Sequence, residues 1–160
     1  MNDFEIRKIL KQKSSSHFWF EEFTIKHCRI DLYNFSKGIA YEIKSKEDTL
    51  NRLPWQLEEY YQVFKRLYIV SDCLKKIKEI ERMLKGYPNT GLLFIKDKSI
   101  KTIKKHTDNL DIKTMTFSHQ DRILLKIMKE DPTRMLIFIK KQFYEDLTEE
   151  KRQKYMTIKF

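Results

Sequence analysis

The chain has 160 residues, 41% of them hydrophobic, with only three glycines and three prolines. That balance builds one domain with its own core and excludes a loop-rich or low-complexity chain. The net charge of +10 is uneven, since residues 74–105 hold ten basic side chains against three acidic ones, a concentration that suits a polyanion as well as it suits lysine-based solubility.

The longest apolar runs, such as Leu92 to Ile95, are too short to cross a bilayer. Residues Met1 to Arg7 lack the pattern of a secretion signal. Cys28 and Cys73 offer neither a disulfide framework nor a zinc spacing, so the expected setting is a reducing cytoplasm without membrane contact. The four histidines, His17, His27, His106 and His119, also lack zinc spacing and read as surface or packing residues.

In chain order, residues 3–13 read as a helix with an apolar stripe of Phe4, Ile6, Ile9 and Leu10. Asn2 or Asp3 can cap it. Ser14 to Ser16 break the pattern, and His17 to Ile25 is aromatic and β-prone. Glu21 and Glu22 sit inside that strand, and alternation alone does not say which of them faces solvent.

Residues 28–35 and 39–46 read as a hairpin turning at Ser36-Lys37-Gly38. A two-residue loop closed by Phe35 and Gly38 sets Asp31 opposite Glu42, about 5 Å apart at Cβ. Glu42 and Lys44 share one face of their strand, while Tyr41 and Ile43 share the other. Two facing carboxylates repel, and a divalent cation between them removes the repulsion. Lys44 is then available to a nearby water or phosphate.

Asp48 or Thr49 can cap the next helix, which runs from about Leu53 to Arg66 with Pro54 in its first turn. Leu53, Leu57, Tyr60, Tyr61 and Phe64 form its buried face, and Gln56 and Tyr60 are neighbours on its surface. Leu67 to Ser71 reads as a buried strand, and the helix linking it to the hairpin favours parallel pairing. Asp72 to Lys85 reads as a helix with Ile77, Ile80, Met83 and Leu84 inward, ended by Gly86 and Pro88. Thr90 to Ile95 reads as a second buried strand. Residues 100–103 and 112–117 read as short edge strands, 118–130 and 132–144 as helices, and 147–160 as a charged tail or loose helix. The whole is a single mixed α/β domain over residues 1–160. Its core spans about 3–96 and a helical extension about 118–160.

Asp31, ten residues, then Glu42-Ile43-Lys44 resembles the motif of the PD-(D/E)XK nuclease superfamily. The element order from residue 3 to residue 71 is similar to its restriction-endonuclease-like αβββαβ core, a central mixed sheet flanked by helices. Gln56 and Tyr60 resemble the Q-x-x-x-Y element of its RecB-like branch. The wider string of Glu22-Phe23, Arg29-Ile30-Asp31, Tyr41 to Ser45, Asp48, Arg52-Leu53, Gln56, Tyr60 and Phe64 resembles a group of small bacterial and phage proteins of that kind. Ile30 stands where the superfamily's name has proline. The resemblance covers residues 20–72.

What it implies is metal-dependent hydrolysis of a phosphodiester in DNA, with RNA second, in a phage or mobile-element setting. Asp31, Glu42, the Ile43 backbone carbonyl and Glu22 would hold Mg²⁺ or Mn²⁺. Lys44 would position the attacking water, and Gln56 and Tyr60 would orient the site or touch the substrate. Arg52, Lys46, Lys75, Lys76 and Lys78 would meet the nucleic-acid backbone. The alternative is a non-catalytic nucleic-acid-binding or interaction module that keeps the fold. Homodimerisation or membership of a larger complex fits either reading.

Overall fold

The computed structural model describes residues 1–14, 19–25, 28–34 and 37–109. The strand expected at 112–117 and everything expected beyond it lie outside the described residues, as do Phe35 and Ser36 of the hairpin turn. The elements run α1 (Asp3–Lys13), β1 (Trp19–Ile25), β2 (Cys28–Asn34), β3 (Ile39–Lys44), α2 (Leu53–Val63), β4 (Leu67–Ser71), α3 (Leu74–Met83), β5 (Gly91–Lys96) and β6 (Ser99–Lys104). A 3-10 turn at Leu84–Gly86 closes α3.

The six strands form one mixed sheet in the order β1-β2-β3-β4-β5-β6. β3, β4 and β5 are parallel, as their helical crossovers require, and the flanking pairs are antiparallel. Every residue of β4 is buried, because helices cover both faces of this centre. On one face Leu53, Leu57, Tyr60, Ile77 and Ile80 of α2 and α3 pack on Ala40, Ile69 and Leu92. On the other, Ile6, Ile9 and Leu10 of α1 pack on Tyr41, Ile43, Val70 and Ile95. Strand alternation along β3 therefore sends Glu42 and Lys44 to the α2 side.

The hairpin register agrees with the expected one. Leu32 pairs with Tyr41 and Asn34 with Ile39, which continues to Asp31 opposite Glu42. Gly38 has φ 63°, the left-handed conformation its turn needs.

Some expectations need correction. Phe4 is 71% exposed and takes no part in the stripe of α1. At about 100° per residue it lies nearly opposite Ile6 on the helix. Arg7 is buried beside that stripe instead. Asn2 is the cap of α1, accepting from the Glu5 backbone N–H at 2.9 Å. Neither Asp48 nor Thr49 caps α2; the residue before its first turn is Arg52. The Asp48 carboxylate instead accepts from the Ser45 backbone N–H at 2.7 Å and hydroxyl at 2.8 Å, bracing the loop after β3. Tyr61 is half-buried, and its hydroxyl donates to Asn89 at 2.6 Å.

Candidate active site

The β2–β3 ladder ends at Leu32 and Tyr41. One step further the Ile43 N–H, which would otherwise meet a carbonyl of β2, donates to Asp31 Oδ2 at 2.7 Å. The carboxylate thus replaces a rung of the sheet and opens a wedge between the strands. N–H and C=O of one strand residue point the same way, so the Ile43 carbonyl is directed into this wedge too. The wedge is a cavity of about 270 Å³ lined by Asp3, Arg7, Glu22, Arg29, Asp31, Glu42, Ile43, Asp48, Arg52, Trp55, Gln56 and Tyr60.

Glu42 and Lys44 are 2% and 5% exposed, so theirs is no solvated surface pair. Lys44 Nζ donates to Glu42 Oε1 at 2.7 Å, and Gln56 Nε2 donates to the same oxygen at 2.8 Å. Gln56 Nε2 also lies 3.3 Å from the Tyr60 hydroxyl. That hydroxyl donates to the Arg29 carbonyl at 2.6 Å. Burial, then the charge on Glu42, raises the Tyr60 phenol above its ordinary value. The α2 pair therefore holds the acid of β3 with one residue and the backbone of β2 with the other.

Burial, and after it the nearby charge of Glu42, pushes the Asp31 carboxyl up to about 8. Two buried acceptors, Glu42 Oε2 and Gln56 Oε1, receive no hydrogen bond. Lining carboxylates at Asp3, Glu22, Asp31, Glu42 and Asp48 outnumber the three lining arginines, Arg7, Arg29 and Arg52, by two. Lys44, behind them, reduces the excess to one when Asp31 is ionised.

Glu22 has φ 51°, a left-handed conformation rare for a residue with a side chain. In an unbroken strand Glu21 and Phe23 would share a face. Here Phe23 joins the α2 layer, while Glu21 turns to Lys11 and Arg7 of α1. The reversal puts Glu22, and not Glu21, into the cavity beside Asp31. The Lys11 ammonium, by hydrogen bonding, holds the Glu21 carboxyl below its usual range.

Arg7 is the residue that sequence reasoning passed over. Its guanidinium meets Asp3 at 2.6 Å, Glu21 at 3.3 Å, Asp31 at 3.6 Å and also Glu22. The only cue was a charged residue three before Leu10, at the edge of the apolar stripe. Trp55 lines the cavity and was likewise not singled out, and Asp3, expected only as a possible helix cap, lines it too, as does Arg29 of the wider string. Asp48 and Arg52 line it in keeping with their place in the wider string.

The expected basic contacts divide. Arg52 lines the cavity, whereas Lys46, Lys75 and Lys78 are exposed outside it. Lys76 departs from a phosphate-binding role. Its ammonium donates to the carbonyls of Ser45 at 2.5 Å, Lys46 at 2.8 Å and Asp48, tying α3 to the loop after β3.

Among the described residues no three His, Cys, Asp or Glu side chains converge closely enough to cage a metal ion. The donor set would suit an ion that takes few protein ligands, here two carboxylates and a carbonyl, and keeps several waters, as Mg²⁺ does. The free Glu42 Oε2 and the acidic excess are the features that fit it.

Fold and site together define a mixed α/β domain with an acidic wedge built around a buried acid–lysine pair. Residues 3–158 match the family described as bacteriophage P4 protein cII, and the chain belongs to that family. No curated protein and no solved structure matches it. Among the described residues no helix is long and apolar enough to cross a membrane.

Proposed function

We propose that this protein is a metal-dependent nuclease of the PD-(D/E)XK type, hydrolysing phosphodiester bonds in DNA, with RNA second. The observation that carries the reading is the convergence of Asp31, Glu42, Lys44 and Gln56 at one wedge in a sheet whose first six elements run αβββαβ. A solvated hairpin would not bury an acid and a lysine beside a second, half-buried acid without a use for them.

Asp31, Glu42 and the Ile43 carbonyl would hold Mg²⁺ or Mn²⁺, with Glu22 beside them. When bound, such a cation supplies Lewis acidity toward the scissile phosphate and toward water. The chain does the rest. Asp31 must lose its proton to serve as a ligand, so at limiting metal concentration activity rises with pH as the ion competes with that proton. Gln56 fixes the Glu42 carboxylate through Oε1 and leaves Oε2 open. Lys44 can turn its ammonium from Glu42 to the attacking water or to the charge that develops on phosphate. Arg29 and Arg52 stand at the rim for the flanking phosphates.

The test is incubation with single- and double-stranded DNA, with and without Mg²⁺ or Mn²⁺. Cleavage should need the ion and fall at least about a hundredfold in Glu42→Gln and in Lys44→Ala. Cleavage that survives both substitutions rejects the site. Binding without cleavage favours a non-catalytic module. One observation supports that second reading: Arg7 and Lys44 already serve as counter-charges to the carboxylates.

A further inference from the structure

Three large hydrophobic side chains are exposed among the described residues: Phe4, Trp55 and Leu74. Of these only Trp55 lines the acidic cavity. It stands on the first turn of α2, next to Gln56, which faces inward, and Pro54 stiffens that turn. Trp55 is 58% exposed, although an indole has more than any other side chain to gain from burial. Two cations share the rim with it. Arg29 has a side chain 71% exposed, with only its Nε directed to Glu22, at 3.0 Å. Arg52, three residues before Trp55 and exposed, makes no ion pair among the described residues.

We propose that Trp55 is a stacking platform for an unpaired nucleobase, and that Arg29 and Arg52 grip the phosphates on either side of it. An uncovered indole flanked by guanidinium groups is the combination that binds single-stranded nucleic acid, because every base offers a π face and every nucleotide a charge. A base inside a duplex has both faces covered by its neighbours and cannot use the indole. The site therefore selects single strands, or frayed ends, over continuous duplex. This inference rests on the nuclease reading for its substrate, and assigns the strandedness that reading leaves open.

The chain has two tryptophans. Trp19 packs against Tyr41, ring centroids 5.8 Å apart and planes tilted by 45°, away from the cavity lining. A Trp19→Phe variant of the full chain leaves Trp55 as the sole indole emitter. It should be titrated with a 15-nucleotide oligothymidine and with a blunt duplex of equal length. Ca²⁺ is used in one arm and a chelator in the other, so that the charge of the wedge is varied without requiring turnover. Oligothymidine should quench the emission, more strongly in Ca²⁺, at concentrations where the duplex does not. Trp55→Ala should weaken binding of the oligothymidine by roughly 5- to 150-fold, the range that one base–aromatic stack supplies, and Trp55→Phe should restore part of it. Equal quenching by duplex, no quenching in either arm, or unchanged affinity in Trp55→Ala overturns the proposal. These readouts do not depend on hydrolysis. Stacking without cleavage would refute the nuclease and keep the platform, and cleavage without stacking would do the reverse.

Discussion

Two antiparallel hairpins flank the parallel centre of the sheet, and they differ in one respect that matters. The β5–β6 hairpin pairs from Lys96 with Ser99 back to Leu92 with Lys104, and no residue of β6 is buried. Lys101 stands in water, where a charge needs no partner, and the half-buried Lys104 reaches only the Tyr87 carbonyl, at 3.4 Å. The β2–β3 hairpin stops pairing after Leu32 and Tyr41, and beyond that point Asp31 meets Arg7 of α1 while the buried Glu42 and Lys44 lie under α2. There the same kinds of residue become a network: Lys44 on Glu42, Gln56 on Glu42, Asp31 on Ile43, Arg7 on four carboxylates. Charge spacing along a strand is thus common to both hairpins. Burial is what turns it into a site.

The contrast can be broken at its strongest point with one substitution in each hairpin. Lys44→Met removes the partner of a buried carboxylate and should cost about 3–5 kcal/mol in denaturant unfolding. Lys101→Met, on the exposed face of β6, should stay within about 0.5 kcal/mol. Equal effects would mean that the Glu42–Lys44 pair is as solvated as β6.

Added Mg²⁺ or Mn²⁺ sharpens the comparison further. An ion that binds only the folded wedge should stabilise by about 2.7 kcal/mol at a hundredfold excess over its dissociation constant. The gain should be larger at pH 8 than at pH 6, because Asp31 must ionise. The Glu42→Gln variant should lose it. A thermal shift that is the same at both pH values, or kept in the variant, would place the ion elsewhere.

A further test is the pH dependence of the metal-free protein. The folded Asp31 carboxyl sits at about 8, above its ordinary 3.8, through burial and the charge on Glu42. Between those values the folded chain holds a proton that the unfolded chain has released. Stability therefore falls as pH rises from about 4 to about 8. Asp31→Asn, which carries no charge there and keeps a carbonyl oxygen to accept from the Ile43 N–H, should flatten the decline and be more stable than the parent at pH 8. A variant less stable than the parent at pH 8 would show that Arg7, and not Glu42, dominates the field at Asp31.

Much of this was legible in the chain itself. The Asp31–Glu42 register followed from the turn at Gly38, since loop length fixes pairing and pairing fixes the face of every side chain. The parallel centre followed from helices lying between apolar runs. Other features were not legible. Whether Glu21 or Glu22 enters the site depends on a left-handed φ at Glu22, and strand alternation carries no sign of it. Lys76 looks like any exposed lysine until α3 lies against the loop after β3. Phe4 looks like core until the turn of α1 is counted from Ile6.

Taken alone, the chain decided the order of its elements, the alternation along β3 and the pairing across its hairpin. These depend on neighbours a few residues apart and on the fixed periods of strand and helix. Only tertiary structure decided which charges meet. The helix α1 crosses the sheet where Arg7 reaches Asp31, and α2 crosses where Gln56 reaches Glu42. Electrostatic pairing is set by distance and burial, and neither is a property of residues close in sequence.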